Sequence, residues 1–288
     1  MAGLKSKKDT DRTDELQTVT DELDAEEQRK IDPEAPLTDE DGIVRDEPLL
    51  AGYIDENDVL HSTFSYREMD GKDEEAINKV DVRANSAKLA NVLCERCVIA
   101  IGTITKKSVG LVKWGEIIRS MLGGDIDYMV FKIRELSKGH EVEFTHKCPN
   151  CGQKLTTVMN TNEFQIKPFL GEREVPFTLI RGYKDHKGNV HKDGVYRLPC
   201  GRDREAVIPV FRKNPSTATT MLMTRGMMFN DGTTVMQQNV SSMVLRDRKI
   251  LEDIMKESAF GVDTHIDGLI CDNCGQDLSG EVGESDFF

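Results

Sequence analysis

The chain has 288 residues and a formal net charge of −13, and 38% of its residues are hydrophobic, which is enough for a sizeable core. No run of about 18 apolar residues occurs, so the sequence predicts no membrane span, and the acidic balance argues against the basic surface that nucleic-acid binding usually requires. The N-terminus lacks a signal-peptide core, so the seven cysteines predict thiols and metal ligands rather than disulfides.

The first segment, residues 1–49, is predicted to be a disordered acidic tail. Residues 1–50 contain 16 acidic and 7 basic side chains, which places −9 of the total charge there and leaves about −4 for the rest. Such a composition cannot bury enough apolar surface to offset the entropy of ordering the chain. Leu16, Val19 and Leu23 have helical spacing, so a short helix that forms on a partner is the alternative.

The rest of the chain is predicted to be two tandem copies of one module, residues 50–168 and 169–278, followed by an acidic, aromatic C-terminal tail, residues 279–288. A shift of 130 residues aligns residues 52–77 with residues 182–207 without a gap, and ten of these 26 positions are identical. Each copy runs in the order hairpin, helices, strand and a Cys-x-x-Cys-Gly turn. The predicted fold class is therefore α+β, with duplicated modules joined at a zinc-ribbon-like site of four cysteines.

Hydrophobic spacing and turn residues predict the elements of each copy. In the first copy they are a hairpin over 50–66, a helix that begins at Asp70, helices over 86–104, 114–122 and 125–136, and strands over 140–146 and 155–159. In the second copy they are a helix that begins near 201, helices over 216–228 and 247–260, and a strand over 264–270. The predicted core-facing residues of the two middle helices are Ile117, Ile118, Met121, Met129, Val130 and Ile133.

Two cysteine turns carry the chemistry. Cys148-Pro-Asn-Cys-Gly152 and Cys271-Asp-Asn-Cys-Gly275 each place two thiols one tight turn apart. The glycine after the second cysteine suits a turn that needs a positive φ angle. Two such turns, here called knuckles, supply the four sulfurs of a tetrahedral zinc site.

The sequence predicts that both knuckles close on one structural zinc ion, since neither copy has four suitable cysteines of its own. The predicted ligands are Cys148, Cys151, Cys271 and Cys274, brought together if the copies pair about a pseudo-twofold axis. The rival is that Cys94 and Cys97 join the first knuckle, but apolar neighbours and the absence of a following glycine favour buried structural thiols there. Cys200 is expected to be an isolated, inert thiol.

No catalytic constellation is recognised in the sequence. Phosphate-binding loops, nucleophile elbows and zinc-protease motifs are all absent, and a site of four thiolates leaves zinc no open position for a substrate. His61 and His191 recur at the same place in both copies, where a surface or capping role is expected rather than metal binding. His146 lies two residues before Cys148. It either faces solvent on the strand or supports the metal ligands. The chain is therefore predicted not to be an enzyme.

Four stretches together resemble a known family. These are Tyr66-Arg-Glu-Met-Asp-Gly-Lys-Asp-Glu-Glu-Ala76, the apolar stretch Leu93–Gly102, Gly124-Asp125 and Cys148–Gly152. In this order they are similar to the baseplate hub assembly proteins of contractile-tailed phages, the T-even-type hub subunit and hub-assembly chaperone family. Where that family has Arg-Pro-Leu-Thr-Gly, this chain has Arg67-Glu-Met-Asp-Gly71, and residues 170–278 resemble it less than residues 50–160 do.

The resemblance implies a non-enzymatic role in building a phage tail baseplate, with other tail or baseplate proteins as partners. It implies a location in the host cytoplasm during assembly, with the baseplate of the virion as the alternative destination. The oligomeric state stays open. The competing function is a zinc-ribbon nucleic-acid-binding or transcription-associated factor, which the charge balance disfavours.

Overall fold

The computed structural model describes residues 38–266, 268–278 and 280–281. The predicted tail lies outside the described residues over 1–37, as does the C-terminal segment from 282 that holds Phe287 and Phe288. Residues 43–49 differ from the expectation, because they belong to strand β1, Ile43–Ile54. The side chains of Val44 and Leu49 are buried in the core, and this burial stabilises the strand. The average composition of residues 1–49 gave no sign of these two apolar contacts.

The first half of the fold, residues 43–160, begins with an antiparallel hairpin of β1 and β2, Leu60–Arg67, as predicted. The elements that follow are helices α1 (Gly71–Ile77), α2 (Val80–Arg83) and α3 (Ser86–Cys97), strands β3 (Val98–Ile101) and β4 (Ile104–Thr105), helices α4 (Lys106–Ser120) and α5 (Gly123–Lys138), and strands β5 (Glu141–Lys147) and β6 (Lys154–Asn160). The helix predicted at Asp70 is confirmed, with Asp70 and Asp73 forming a reciprocal capping box at its start.

The helix predicted over 86–104 is wrong beyond Cys97. Residues 98–101 form β3, which pairs with β2 so that Tyr66 lies opposite Val98 and Phe64 opposite Ile101. The β-branched side chains of Val98 and Ile101 suit a strand and are buried there. Partners from β2, distant in sequence, therefore override the helical spacing of the apolar residues.

The predicted core-facing residues of the next two helices are confirmed as buried. Helix α4 begins earlier than expected, at Lys106, and its backbone breaks at Gly110, where φ is 78°. Strands β5 and β6 form the predicted pair that leads into and out of the first knuckle, in register from Glu141 opposite Asn160 to Lys147 opposite Lys154.

The second half, residues 174–281, follows a short connection that includes strand β7, Gln165–Lys167. Its elements are β8 (Glu174–Lys184), β9 (Val190–Arg197), α6 (Gly201–Phe211), α7 (Pro215–Gly226), β10 (Met227–Phe229), α8 (Gln237–Ser241), α9 (Leu245–Glu257), β11 (Gly261–Asp263), β12 (His265–Ile266) and β13 (Gly280–Glu281). The predicted strand over 264–270 is wrong in extent. Instead β11 pairs with β7, and β12 pairs with β13.

Each half has its own core. In the first, the four-stranded sheet β1-β2-β3-β4 packs under α3, α4 and α5, with Phe64, Tyr66 and Trp114 fully or almost fully buried. In the second, the sheet β10-β9-β8 packs under α7 and α9 around Tyr183, Tyr196, Met223 and Met227. No helix among the described residues is long and apolar enough to cross a membrane.

The halves pack head to tail through their helices. Helix α6 of the second half lies against α3, α4 and α5 of the first, with Gly201 N–H donating to Met121 C=O at 3.0 Å and Gly123 N–H donating to Pro199 C=O at 3.1 Å. Within the described part of the chain, α1 makes no comparable contact with α7, α8 or α9. The helical interface therefore lacks the pseudo-twofold relation expected from the sequence.

Candidate metal centre

The two knuckles have the same local structure. In the first, Cys148 N–H donates to Gln153 C=O at 2.8 Å and Gly152 N–H donates to Cys148 C=O at 2.9 Å. In the second, the equivalent bonds join Cys271 to Gln276 and Gly275 to Cys271, both at 2.8 Å. The φ angles of Gly152 and Gly275 are 74° and 70°, so both positions need the left-handed backbone that glycine adopts without strain.

The fold brings the four predicted ligands together. Their sulfur atoms lie within 4.8 Å of one another, so Cys148, Cys151, Cys271 and Cys274 could hold a metal ion. Two contacts join the knuckles, with Sγ of Cys148 3.6 Å from Sγ of Cys274 and Sγ of Cys151 3.7 Å from Sγ of Cys271. These reciprocal contacts fit the pseudo-twofold pairing that the helices do not follow.

The spacing of the sulfurs suits a tetrahedral thiolate site. Zinc–sulfur bonds of about 2.3 Å place the corners of a regular tetrahedron about 3.8 Å apart. Two of the distances between the knuckles, 3.6 and 3.7 Å, are close to this edge. Cys148 and Cys271 are buried, whereas Cys151 and Cys274 face the surface. An ion bound here would be shielded on one side by protein and would have all four tetrahedral positions filled by this chain.

An asparagine from each knuckle reaches the other knuckle. The amide of Asn150 donates to Sγ of Cys274 at 3.5 Å. The side chain of Asn273 hydrogen-bonds the thiol of Cys151 and is the largest cause that lowers the pKa of that thiol to about 6. Donors that favour the thiolate also favour metal binding, which needs deprotonated sulfur. Asn150 and Asn273 occupy the same place in the two knuckle sequences, but nothing in the sequence indicates that each contacts the opposite knuckle.

The other cysteines lie elsewhere. Cys94 and Cys97 are fully buried in the first core, and Sγ of Cys97 is 3.6 Å from Oδ2 of Asp73. Neither belongs to the cysteine cluster of the described residues that could hold a metal ion. Burial raises the pKa of the Cys97 thiol to about 12. Cys200 is buried at the start of α6, with its sulfur 3.1 Å from Oδ2 of Asp203, and burial raises its pKa too.

The two recurring histidines contact aspartate carboxylates and are not exposed surface groups. His61 is buried, with Nε2 3.3 Å from Oδ2 of Asp55. His191 lies between Asp185 and Asp231, and its hydrogen bond with Asp231 is the largest cause that raises its pKa. Neither belongs to a group of metal-binding side chains in the described part of the chain. The side chain of His146 lies outside the described residues.

Comparison with known proteins gives a match to a family model. Residues 59–185 match the sequence model of a family described as T4 bacteriophage base plate protein. The matched stretch spans the first half from β2 onward, the first knuckle, and β8. No curated protein and no solved structure gave a significant match. The family match supports a relationship between this chain and the phage baseplate proteins.

Proposed function

We propose that this chain is a non-enzymatic structural or assembly protein of a contractile phage tail baseplate, acting as a hub subunit or a hub-assembly chaperone. The observation that carries the proposal is the match of residues 59–185 to the baseplate family. Other tail and baseplate proteins are its partners under this proposal. It meets them in the host cytoplasm during assembly and, if it is retained, in the virion.

The proposed metal is zinc in a structural role. The chemistry of the donors supports this choice, since four cysteine sulfurs at tetrahedral spacing are typical of structural zinc. Bound zinc would link residues 148–151 to residues 271–274 and hold the ends of the two halves together. Binding then contributes to folding, on the order of 10 kcal/mol at neutral pH.

The proposal includes an internal duplication. Several features at corresponding positions support it. Arg67 and Arg96 bind Asp73 as Arg197 and Arg225 bind Asp203.

Two further aspartates also correspond. Asp125, at the third position of α5, accepts backbone N–H groups from β1, and Asp247, at the third position of α9, accepts them from β8. Asn85 and Asn214 cap α3 and α7 in the same way.

The titratable groups at the helix starts support a structural rather than a catalytic role. Burial alone would raise the pKa of Asp73, but hydrogen bonds from Arg67, the backbone of Asp70 and Arg96 hold it well below its usual range. The pKa of Asp203 is lowered in the same way, since burial would raise it and the hydrogen bond from Arg197 lowers it. Buried carboxylates that are saturated by arginine are suited to fixing two elements together, because they are not free to exchange a proton near neutral pH.

The experiment that tests this function is recovery of partners from cells that produce the phage. An affinity-tagged chain should co-purify with tail or baseplate proteins, and Cys271→Ser/Cys274→Ser should reduce this recovery because the halves lose their link. Cys200→Ser is the matched control, since serine is a good helix N-cap and this thiol lies outside the cluster. Recovery of nucleic acid alone would contradict the proposal and favour the transcription-associated alternative.

A further inference from the structure

Each half has two helical surfaces that correspond between the halves. One of them is buried in the contact between the halves, and its counterpart on the other half is exposed; the exposed ones are here called free faces. In the first half, the junction of α4 and α5 receives α6, and Leu122 is only 6% exposed. At the corresponding junction of the second half, before α9, Val244 is 43% exposed and Leu245 is 81% exposed. The caps match closely, with φ and ψ of −63° and 145° at Leu122 and −64° and 147° at Val244.

The second free face is the start of α1. Its counterpart in the second half is the start of α6, where Gly201 is buried so closely that a Cβ atom would lie 2.5 Å from Oδ1 of Asn91. A Cβ atom on Gly71 would meet nothing within 4 Å. The α1 face therefore has the position and shape of a used interface but faces solvent in this chain.

We propose that these two faces bind each other between copies of this chain, so that α1 of one copy docks on the α9 junction of the next as α6 docks within the chain. This inference rests on the internal duplication proposed above. A head-to-tail contact with one free face at each end can repeat, and it produces a ring or a filament according to the rotation at each step.

Charge complementarity identifies a second copy as the occupant. Inside the chain, Arg204 of α6 binds Asp127 of α5 at 2.6 Å. At the corresponding positions of the free faces the signs are exchanged, with Glu74 on α1 and Lys249 on α9. Lys249 is exposed and also contacts Asp253 one turn along the helix, a surface pair that is readily exchanged.

A second pair has the same complementarity. Inside the chain, Glu205 of α6 accepts from Asn91 and Arg119 of the first half. On the free faces, Glu75 stands at the position of Glu205, and Arg248 lies beside Thr220, the counterpart of Asn91. An acidic face thus meets a basic one, with Arg246 as a further exposed cation at the α9 start.

The sizes of the facing side chains are also complementary on the free faces, with the larger residue on the opposite side of the contact. Inside the chain, the large Arg204 packs on Gly123, where a Cβ atom would lie 2.8 Å from its Cδ atom. On the free faces the smaller Glu74 replaces the arginine and Leu245 replaces the glycine. Leu245 lines an apolar groove with Ile180 and the aliphatic part of Lys249, and docking of α1 would remove this apolar surface from water.

The test is a charge exchange at one pair. The full chain with its metal should self-associate in sedimentation equilibrium, and Glu74→Lys or Lys249→Glu alone should raise the dissociation constant at least about tenfold, because like charges then face each other. The doubly substituted chain, and an equimolar mixture of the two single variants, should associate like the unsubstituted chain. Lys187→Glu, an equal charge change in the exposed turn between β8 and β9, is the control.

The outcomes are distinct. Both substituted residues are exposed, so circular dichroism and metal content should stay unchanged and show that each variant folds. A chain that stays monomeric up to its solubility limit, or association that neither single variant weakens, would overturn the inference and leave the faces to another protein. A monomer that still recovers tail proteins refutes only this inference, whereas a self-associating chain that recovers none refutes only the proposed function.

Discussion

The two halves bury an aspartate at the start of a helix but surround it differently. A cysteine thiol lies beside the aspartate in both halves, but the arginine contacts differ. In the first half, the side chain of Asp73 has no exposed surface and accepts from Arg67 and Arg96 at 2.6 Å each. In the second, Asp203 is 4% exposed and accepts at 2.8 and 3.2 Å from Arg197 and Arg225. The same aspartate with two arginines therefore occurs in both halves, with shorter contacts in the first half than in the second.

The largest expected difference follows from removing this aspartate. Asp73→Ala should cost about 3–5 kcal/mol in the free energy of unfolding, because it leaves two arginines without their buried partner. Asp203→Ala should cost about 1 kcal/mol less, because the contacts of Asp203 with Arg197 and Arg225, at 2.8 and 3.2 Å, are longer than the two contacts of 2.6 Å at Asp73. Urea unfolding of both variants measures the difference, and an equal or larger cost at Asp203 would contradict the comparison.

A smaller difference is expected at the aspartates that bind the hairpins. Both carboxylate oxygens of Asp247 accept from β8, with Oδ1 2.7 Å from Ile180 N and Oδ2 2.8 Å from Gly182 N. In Asp125 only Oδ1 accepts, from Leu50 N and Ala51 N, and the buried Oδ2 has no hydrogen-bond partner in the described structure. Asp247→Asn should therefore cost about 1–3 kcal/mol, and Asp125→Asn less than about 1 kcal/mol.

The pH dependence sharpens this pair of variants. Burial raises the pKa of Asp125 to about 6, against hydrogen bonds from Ala51 and Leu50 that lower it. The folded chain thus holds a proton that the unfolded chain has lost, so this group's contribution to stability falls as pH rises from about 4 through 6. Asparagine does not titrate, so Asp125→Asn lacks this fall in stability with pH. The decrease in the free energy of unfolding that the substitution causes should therefore be smaller at pH 7 than at pH 4. A cost that grows with pH would be inconsistent with this assignment.

Local signals predicted the parts of the fold that local chemistry determines. The knuckles, the hairpins and the capped start of α1 follow from turn residues and acidic caps at short spacing. The end of α3 did not, because residues 98–101 become a strand only through pairing with β2. The roles of Asp125 and Asp247 were also missed, since each bonds backbone more than 60 residues away. In the sequence, Asp125 stands at the start of a predicted helix and in one of the stretches that carry the family resemblance, and neither feature indicates a bond to β1.

The site was predicted more fully than the arrangement of the halves. Four cysteines in two matching turns leave few ways to complete a tetrahedral site, so Cys148, Cys151, Cys271 and Cys274 could be named together. The head-to-tail packing of α6 on the first half depends on surface shape, such as the close fit of Gly201 against Asn91. No spacing in the sequence encodes such a contact between distant surfaces.

The most direct test of the central claim is the metal stoichiometry of the purified chain. Native mass spectrometry with elemental analysis should find one zinc ion per chain, and Cys271→Ser/Cys274→Ser and Cys148→Ser/Cys151→Ser should each abolish it and lower the melting temperature. Cys94→Ala should keep one zinc, because that thiol lies in the core away from the cluster. Full zinc occupancy in either double variant, or two zinc ions per chain, would contradict the account.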